Sequence, residues 1–272
     1  MTRQVSITAS LVLFQNPKDQ ITALLHSVQN SNRKIDLIII DNSPTNDLEK
    51  TCSAHEYHFV GENIGFGKGH NLAIKSLRSD FHILLNPDIT FESNLVDLLI
   101  MPMIEDPSVV GCSPKVLYPD GRLQRLTKLL PTPINLFARR FLPPLSKMLD
   151  YDYEMQWLDP DKPFELSNAS GCLFAFRTDV FQKLNGFDER FFMYMEDIDL
   201  SRRMAEIGQL RYIPQAEAVH IHAKDSYKNK KLLLIHLKSA WVYFNKWGWF
   251  FDKKRTLCNK KTLAQKTTAN IG

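Results

Sequence analysis

The order of hydrophobic and polar positions alternates between two periods. Residues 5–14 read as a strand, and beyond Pro17 the spacing of Ile21, Leu24, Leu25 and Val28 is that of a helix with one apolar stripe. Residues 35–40 form a nearly continuous apolar run, the pattern of a strand buried in a parallel sheet. A shorter strand at 57–60, a helix at 71–77, a strand at 81–85 stopped by Asn86-Pro87, a helix at 95–104 and a strand at 109–112 follow. The repeated strand–helix–strand order predicts a mostly parallel sheet covered by helices on both faces.

Between 131 and 163 the pattern fails. Pro131, Pro133, Pro143, Pro144, Pro160 and Pro163 punctuate it, and a long irregular excursion over the sheet, a mobile flap, is expected. Regularity returns with a strand over 169–177, a helix opening near Thr178-Asp179, and a helix over 197–207 that Gly208 ends. A short strand at 210–213 precedes Pro214. Residues 232–244 read as an amphipathic helix, and Trp241, Trp247 and Trp249 lie among Lys230, Lys231 and Lys253-Lys254-Arg255. Aromatic rings interleaved with cations suit a bilayer interface with anionic headgroups, against the plainer reading of a packed helix with a solvated basic face.

Composition sharpens this picture at few points. With 272 residues, 44% of them hydrophobic and 24% charged, the chain is long enough to bury a real core. The net charge of +4 is uneven: from Lys224 onward twelve Lys and Arg face two acids, which leaves −6 on the remaining residues. A local anionic partner is therefore expected rather than general nucleic-acid binding. No apolar run approaches the roughly 20 residues that span a bilayer, and no secretory signal is expected. The four cysteines are scattered and form no CxxC pair, which suits a reducing cytoplasm.

Ligands of open α/β sheets sit beyond the carboxyl ends of strands, and three polar clusters fall there. They are Asp41-Asn42-Ser43, Asn86-Pro87-Asp88 and the segment NIGFGKGHN at 63–71. Asp and Asn also favour turns and caps for local reasons, but three clusters converge on one edge. The glycine spacing is GxGxG, which fits neither a dinucleotide fingerprint nor a P-loop, though its backbone could cradle a phosphate or nucleoside. A carboxylate at Asp88 could bind Mg²⁺ or Mn²⁺. Glu196-Asp197-Ile198-Asp199 can be read as acids favoured by a helix N-terminus. The apolar run 191–195 before it instead draws Glu196 and Asp197 inward, and a partly desolvated carboxylate is the better general base. His220 and His222 point the same way on an extended segment, as metal ligands or as ordinary polar residues.

Asp41-Asn42-Ser43, NIGFGKGHN (63–71), LNPDI (85–89), SGCLFAFR (170–177) and NGFDERFFMYMEDIDLSRR (185–203), with a looser AVHIHAKDS (218–226), together resemble family 2 glycosyltransferases of the GT-A fold. The likeness is to the bacterial rhamnosyltransferase-like branch that builds O-antigen and related polysaccharides. It implies a Rossmann-like α/β domain over 1–223, comprising a nucleotide-binding half (1–115), the flap (116–168) and an acceptor and catalytic half (169–223). A basic, aromatic, membrane-associating helical tail (224–272) follows. Asp197 would be the catalytic base, supported by Glu196. The resemblance assigns Asp41, Asn42, Asn63, Gly65, Phe66, Gly67, Asn71, Asn86 and Asp88 to the nucleotide sugar. A divalent metal, Mn²⁺ or Mg²⁺, would sit on Asp88 and His220, with His222 as the alternate. Asn86 stands where the family usually has an acid. Asp199 and Gly171 would meet the acceptor.

The implied reaction is inverting transfer from a nucleotide-sugar donor, a dTDP-sugar such as dTDP-rhamnose, to an undecaprenyl-diphosphate-linked saccharide. It would run in the cytoplasm, peripheral to the inner face of the bacterial inner membrane, without nucleic acid. A sugar-phosphate nucleotidyltransferase is a competing reading, but it would open with a glycine-rich basic loop where this chain has Leu13-Phe14-Gln15-Asn16-Pro17. A non-catalytic membrane-surface adaptor of the same fold would be marked by a dispensable Asp197.

Overall fold

The computed structural model describes residues 5–74, 77–141, 143–221 and 230–269. Strands β1 (Ile7–Leu13), β2 (Asp36–Asp41), β3 (Glu56–Phe59) and β4 (Phe81–Leu85) pair in parallel. Helices α1 (Lys18–Gln29), α2 (Glu49–Cys52) and α3 (Phe66–Ile74) connect them. Beyond β4 come β5 (Ile89–Phe91), α4 (Leu95–Glu105), β6 (Val109–Leu117), α5 (Pro133–Phe141) and α6 (Pro143–Tyr153). The chain continues through β7 (Phe164–Glu165), β8 (Leu173–Arg177), α7 (Thr178–Lys183), α8 (Glu196–Ala205), β9 (Gln209–His220), α9 (Lys230–Trp247) and α10 (Lys253–Ala269).

The strand order is β3-β2-β1-β4-β8-β6-β9-β5, with β7 on β9. The expected parallel pattern holds on the β1–β4 side, whereas the other side is mixed: β8 runs antiparallel to β4 and β6, and β5 antiparallel to β9. β8 arrives from the long excursion after β6 rather than from one helical crossover, so nothing imposes a parallel neighbour. Side chains alternate along the strands into two cores. Ile7, Ala9, Leu11 and Leu13 of β1 pack with α1 and α4 on one face. Ile38, Ile40, Leu84, Phe174 and Phe176 pack with Phe181, Leu200 and Met204 of α7 and α8 on the other.

Four elements in particular depart from the sequence reading. The stretch expected to be irregular holds α5 and α6, because Pro133 and Pro143 occupy first helical positions, where the missing N–H would have no partner anyway. β9 runs through Pro214 because its register with β6 skips from Ile213 to Glu217, leaving the proline outside the ladder. Helix α3 starts at Phe66, not at 71. Gly67 and Gly69 read as loop residues, but a Cβ on them would come within 2.9 Å of Phe187 and 2.8 Å of Val12, so they bring the helix close to its neighbours.

The described part of the tail is packed into the fold. Tyr243 and Phe244 of α9 form a cluster with Phe191 and Met195. On α10, the Asn259 side chain bonds both backbone groups of Leu130 at 2.8 and 2.9 Å, and Leu263 packs beside Leu129, Tyr153 and Met155. Among the described residues no helix is long and apolar enough to cross a membrane.

Candidate active site

The carboxyl ends of β1, β2 and β4, the start of β8 and the end of β9 meet at one edge of the sheet. Asp41 ends β2, fully buried: one carboxylate oxygen accepts the Ser43 N–H at 2.8 Å and the other the Tyr57 hydroxyl at 2.6 Å. Asn42 donates to the Gly65 carbonyl at 3.1 Å, while its Oδ1 is buried without a partner among the described residues. Asn63 Oδ1 accepts the Gly65 N–H at 3.0 Å. Gly65 has φ +93°, and a Cβ there would lie 2.3 Å from the Phe192 carbonyl oxygen. Its glycine is thus required by the contact with the 191–195 run. The Phe66 N–H donates to that same carbonyl at 2.9 Å. Asn71 is engaged on both amide atoms with the Phe187 backbone, at 2.8 and 2.9 Å. The segment 63–71 therefore ties the β3 side of the site to the loop before α8.

Asn86 is half-buried after β4, its N–H bonded to the Cys172 carbonyl at 2.8 Å. Two residues on, Asp88 Oδ1 lies 3.2 Å from His220 Nε2, brought there by the antiparallel pairing of Ile89 with His220. Gln124 completes the arrangement. Its Nε2 donates to the His220 carbonyl at 2.6 Å, which leaves its Oε1 to accept from His220 Nδ1 at 2.9 Å. With Nδ1 as the donor, a neutral imidazole turns its Nε2 lone pair towards the Asp88 carboxylate. Nitrogen and carboxylate oxygen then form a donor pair of the kind that binds divalent cations. Among the described residues no group of three or more His, Cys, Asp and Glu could hold a metal. His222 lies outside the described residues.

Glu196 and Asp197 open α8 directly after Tyr194 and Met195, both in the left-handed region at φ +71° and +68°. Two strained non-glycine residues in succession turn the chain so that the helix starts with its acids inside. Glu196 is buried, and burial together with the Asp197 charge holds its carboxyl well above the usual carboxylate range. Glu196 Oε2 has no hydrogen-bond partner among the described residues. Asp197 is half-buried and also raised by burial, an effect opposed by N–H donors from Gly171 at 3.2 Å and Ile198 at 2.8 Å. Gly171 reaches it because a Cβ there would crowd Phe66 at 3.2 Å. A cavity of about 790 Å³ is lined by both acids with Gln124, Arg125, Lys128, Ser170, Tyr194 and His236. The Cys172 thiol is pushed up to about 12 by burial, with the charges of Asp88 and Asp197 adding to the rise.

Asp199, expected to meet the acceptor, does not face that cavity. It is fully buried, and its oxygens take Arg203 Nε at 2.9 Å, Trp247 Nε1 at 2.8 Å and Lys246 Nζ at 2.6 Å. Its geometry seats α9 against α8. Sequence reasoning also missed Gln124 and a buried polar chain beneath the site. In that chain Ser10 Oγ lies 2.7 Å from His70 Nδ1 and 2.8 Å from His82 Nε2, and His82 Nδ1 lies 2.8 Å from Thr8 Oγ1. Burial pulls both histidines down to about 3, so they stay neutral and structural. A histidine inside the otherwise apolar strand 81–85 was the available signal.

Residues 11–184 match Glycosyl transferase family 2, and residues 156–224 match the N-terminal domain of galactosyltransferase. The chain is 28% identical over 232 residues to the N-acetylglucosaminyl-diphospho-decaprenol L-rhamnosyltransferase of Mycobacterium tuberculosis, covering 78% of this chain and 75% of that protein. It is 25% identical over 268 residues to Rhamnosyltransferase WbbL of Escherichia coli, covering 92% and 94% respectively. Among solved structures, GalNAc-T7 with UDP, GalNAc and Mn²⁺ superposes with a TM-score of 0.67 at 14% identity, over 94% of this chain and 50% of that one. S. aureus TarS 1–349 superposes with a TM-score of 0.55 at 15% identity, over 86% of this chain and 65% of that one.

Proposed function

The chain belongs to glycosyl transferase family 2, and from that premise we propose that it transfers rhamnose from dTDP-rhamnose to a lipid-linked saccharide in cell-surface polysaccharide synthesis. The observation that carries the reading is Asp197: a carboxylate at the head of α8, steadied by two backbone N–H groups and lining a cavity large enough for a saccharide. The donor and acceptor classes draw support from the rhamnosyltransferase relatives, one of which is named for a diphospho-decaprenol acceptor.

In this reading Asp197 takes the proton of an acceptor hydroxyl. That oxygen forms the new bond to the anomeric carbon as the bond to the nucleoside diphosphate breaks, its electrons leaving with the diphosphate. Attack from the face opposite the leaving group inverts the anomeric centre. Burial and the Asp197 charge raise the Glu196 carboxyl well above the usual range, which favours placing the pair's charge on Asp197, where backbone N–H donors oppose the rise. Asp88 and His220 would hold the divalent cation, Mn²⁺ or Mg²⁺, with His222 as the alternate. When bound, the cation offsets the charge on the departing diphosphate. Asn42 Oδ1 is a buried acceptor suited to an N–H or O–H of the nucleoside, beside Asp41 and the 63–71 segment. The enzyme would work at the cytoplasmic face of the membrane, where its acceptor is anchored.

Asp197→Asn keeps the shape and removes the base. Transfer is expected to fall by about 10²–10⁴-fold, while thermal stabilisation by dTDP-rhamnose with Mn²⁺ persists. Near-normal turnover by this variant would remove Asp197 from the role. Stabilisation by UDP- or GDP-sugars but not dTDP-sugars would overturn the donor.

A further inference from the structure

The turn between α9 and α10 is held from inside and apolar outside. Gly248, at φ +105°, ends α9, and Asp252 caps α10 by accepting the Arg255 N–H at 2.9 Å. Arg255 is buried, and its guanidinium donates to the carbonyls of Gly248, Trp249 and Phe250 at 3.5, 3.1 and 3.3 Å. The Trp249 indole bonds Asn245 at 2.9 Å and packs on Phe244. Within this fixed frame two rings stand free: Phe250 is 70% and Phe251 99% exposed. Nothing about folding calls for two adjacent phenylalanines held in water on a braced turn.

The surroundings indicate what covers them. On α9, Leu234, Leu237 and Trp241 are exposed at helical spacing and form an apolar stripe beside Lys231 and Lys238. From Lys230 to the end of α10 the chain carries ten Lys and Arg and one acid of its own, Asp252, which is buried against Arg202; Lys246, Lys254, Lys261 and Lys266 pair with acids of neighbouring elements. Apolar rings on a segment that also exposes Lys230, Lys231, Lys238, Lys253 and Lys260 match an anionic bilayer: the rings enter the acyl boundary and the lysines meet headgroups. The bidentate Arg202–Asp252 pair fixes this turn to α8, whose first residues are Glu196 and Asp197.

We propose that Phe250 and Phe251 form a pre-set wedge that inserts into an anionic lipid bilayer and, through Arg202–Asp252, holds the active-site helix over the membrane surface. The wedge rests on the lipid-linked-acceptor reading for its purpose, whereas its contact with lipid can be measured alone. The full chain is mixed with vesicles of equal parts phosphatidylglycerol and phosphatidylcholine, and with phosphatidylcholine alone, and bound protein is separated by flotation.

Binding is expected to the anionic vesicles, weakened by salt, with a blue shift of tryptophan emission. The double variant Phe250→Ser, Phe251→Ser should bind at least about tenfold more weakly, since each ring loses its transfer into lipid. Its thermal transition and its transfer to a water-soluble acceptor should stay unchanged, and transfer to a vesicle-embedded acceptor should fall. Undiminished vesicle binding by the double variant overturns the wedge. So does failure of the full chain to bind, or a double variant that instead loses self-association or capture by nucleic acid. Vesicle binding by a chain that accepts only soluble acceptors would leave the wedge standing and overturn the lipid-linked acceptor.

Discussion

Glu196 carries a charge only at a cost. Its carboxyl is raised by burial and by Asp197, so the neutral form supports the fold below the ordinary carboxylate value, and that support is lost as pH rises through the raised folded value. Glutamine has no proton to lose there. Glu196→Gln is expected to gain stability over the parent protein as pH climbs above the ordinary carboxylate range, by up to about 1.4 kcal/mol per pH unit where the two titrations differ. Urea midpoints across that climb test it, and parallel curves would mean that Glu196 ionises freely. Gln124 makes a second prediction. Because it fixes which nitrogen of His220 carries the proton, Gln124→Leu should weaken Mn²⁺ binding about 10–100-fold, read by electron paramagnetic resonance titration without any substrate. Unchanged affinity would free His220 of this partner. The acidic pair was legible because the apolar run stands directly before it. Gln124 was not, since it meets His220 across 96 residues through a register that no local pattern encodes.

Helix α8 joins two tasks along one axis. Its first turn presents Asp197, and its later turns hold the tail: Arg202 meets Asp252 at 2.7 and 3.0 Å and the Tyr243 hydroxyl at 3.0 Å, with Trp247 beneath its guanidinium at 4.1 Å. Both charges are almost wholly buried. Asp252→Ala strands the guanidinium and should cost about 3–5 kcal/mol, measured by guanidinium chloride unfolding, with turnover falling as α8 loosens. A loss below about 1 kcal/mol would show a pair compensated by solvent. The existence of α8 was readable from the helical run that Gly208 ends. Its tertiary duties were not: Asp199 looks like a site residue in sequence because it sits two positions from Asp197, yet the helical turn points it at Trp247 and Lys246 instead.

At the scale of the whole molecule, the tail unites what composition seemed to separate. Its charge and tryptophans mark it off in sequence, and shortening the chain after His236 would be expected to release a soluble enzyme from the membrane. The contacts predict a different outcome. Truncation there removes Tyr243 and Phe244 from the cluster with Phe191 and Met195, deletes the partner of Arg202, and uncovers Leu129, Tyr153 and Met155 where α10 had covered them. Losing a buried aromatic side chain costs about 3–5 kcal/mol and stranding a buried charge about as much. Together these reach the 5–15 kcal/mol by which a domain is typically stable. The chain ending at 236 should therefore lose its cooperative thermal transition and aggregate with or without lipid, whereas the Phe250→Ser, Phe251→Ser protein should melt like the parent. A truncated protein that melts cooperatively near the parent temperature would make the tail an appendage. Comparing these two proteins by calorimetry separates the proposed membrane contact of two exposed rings from the fold, which depends on the buried side of the same helices.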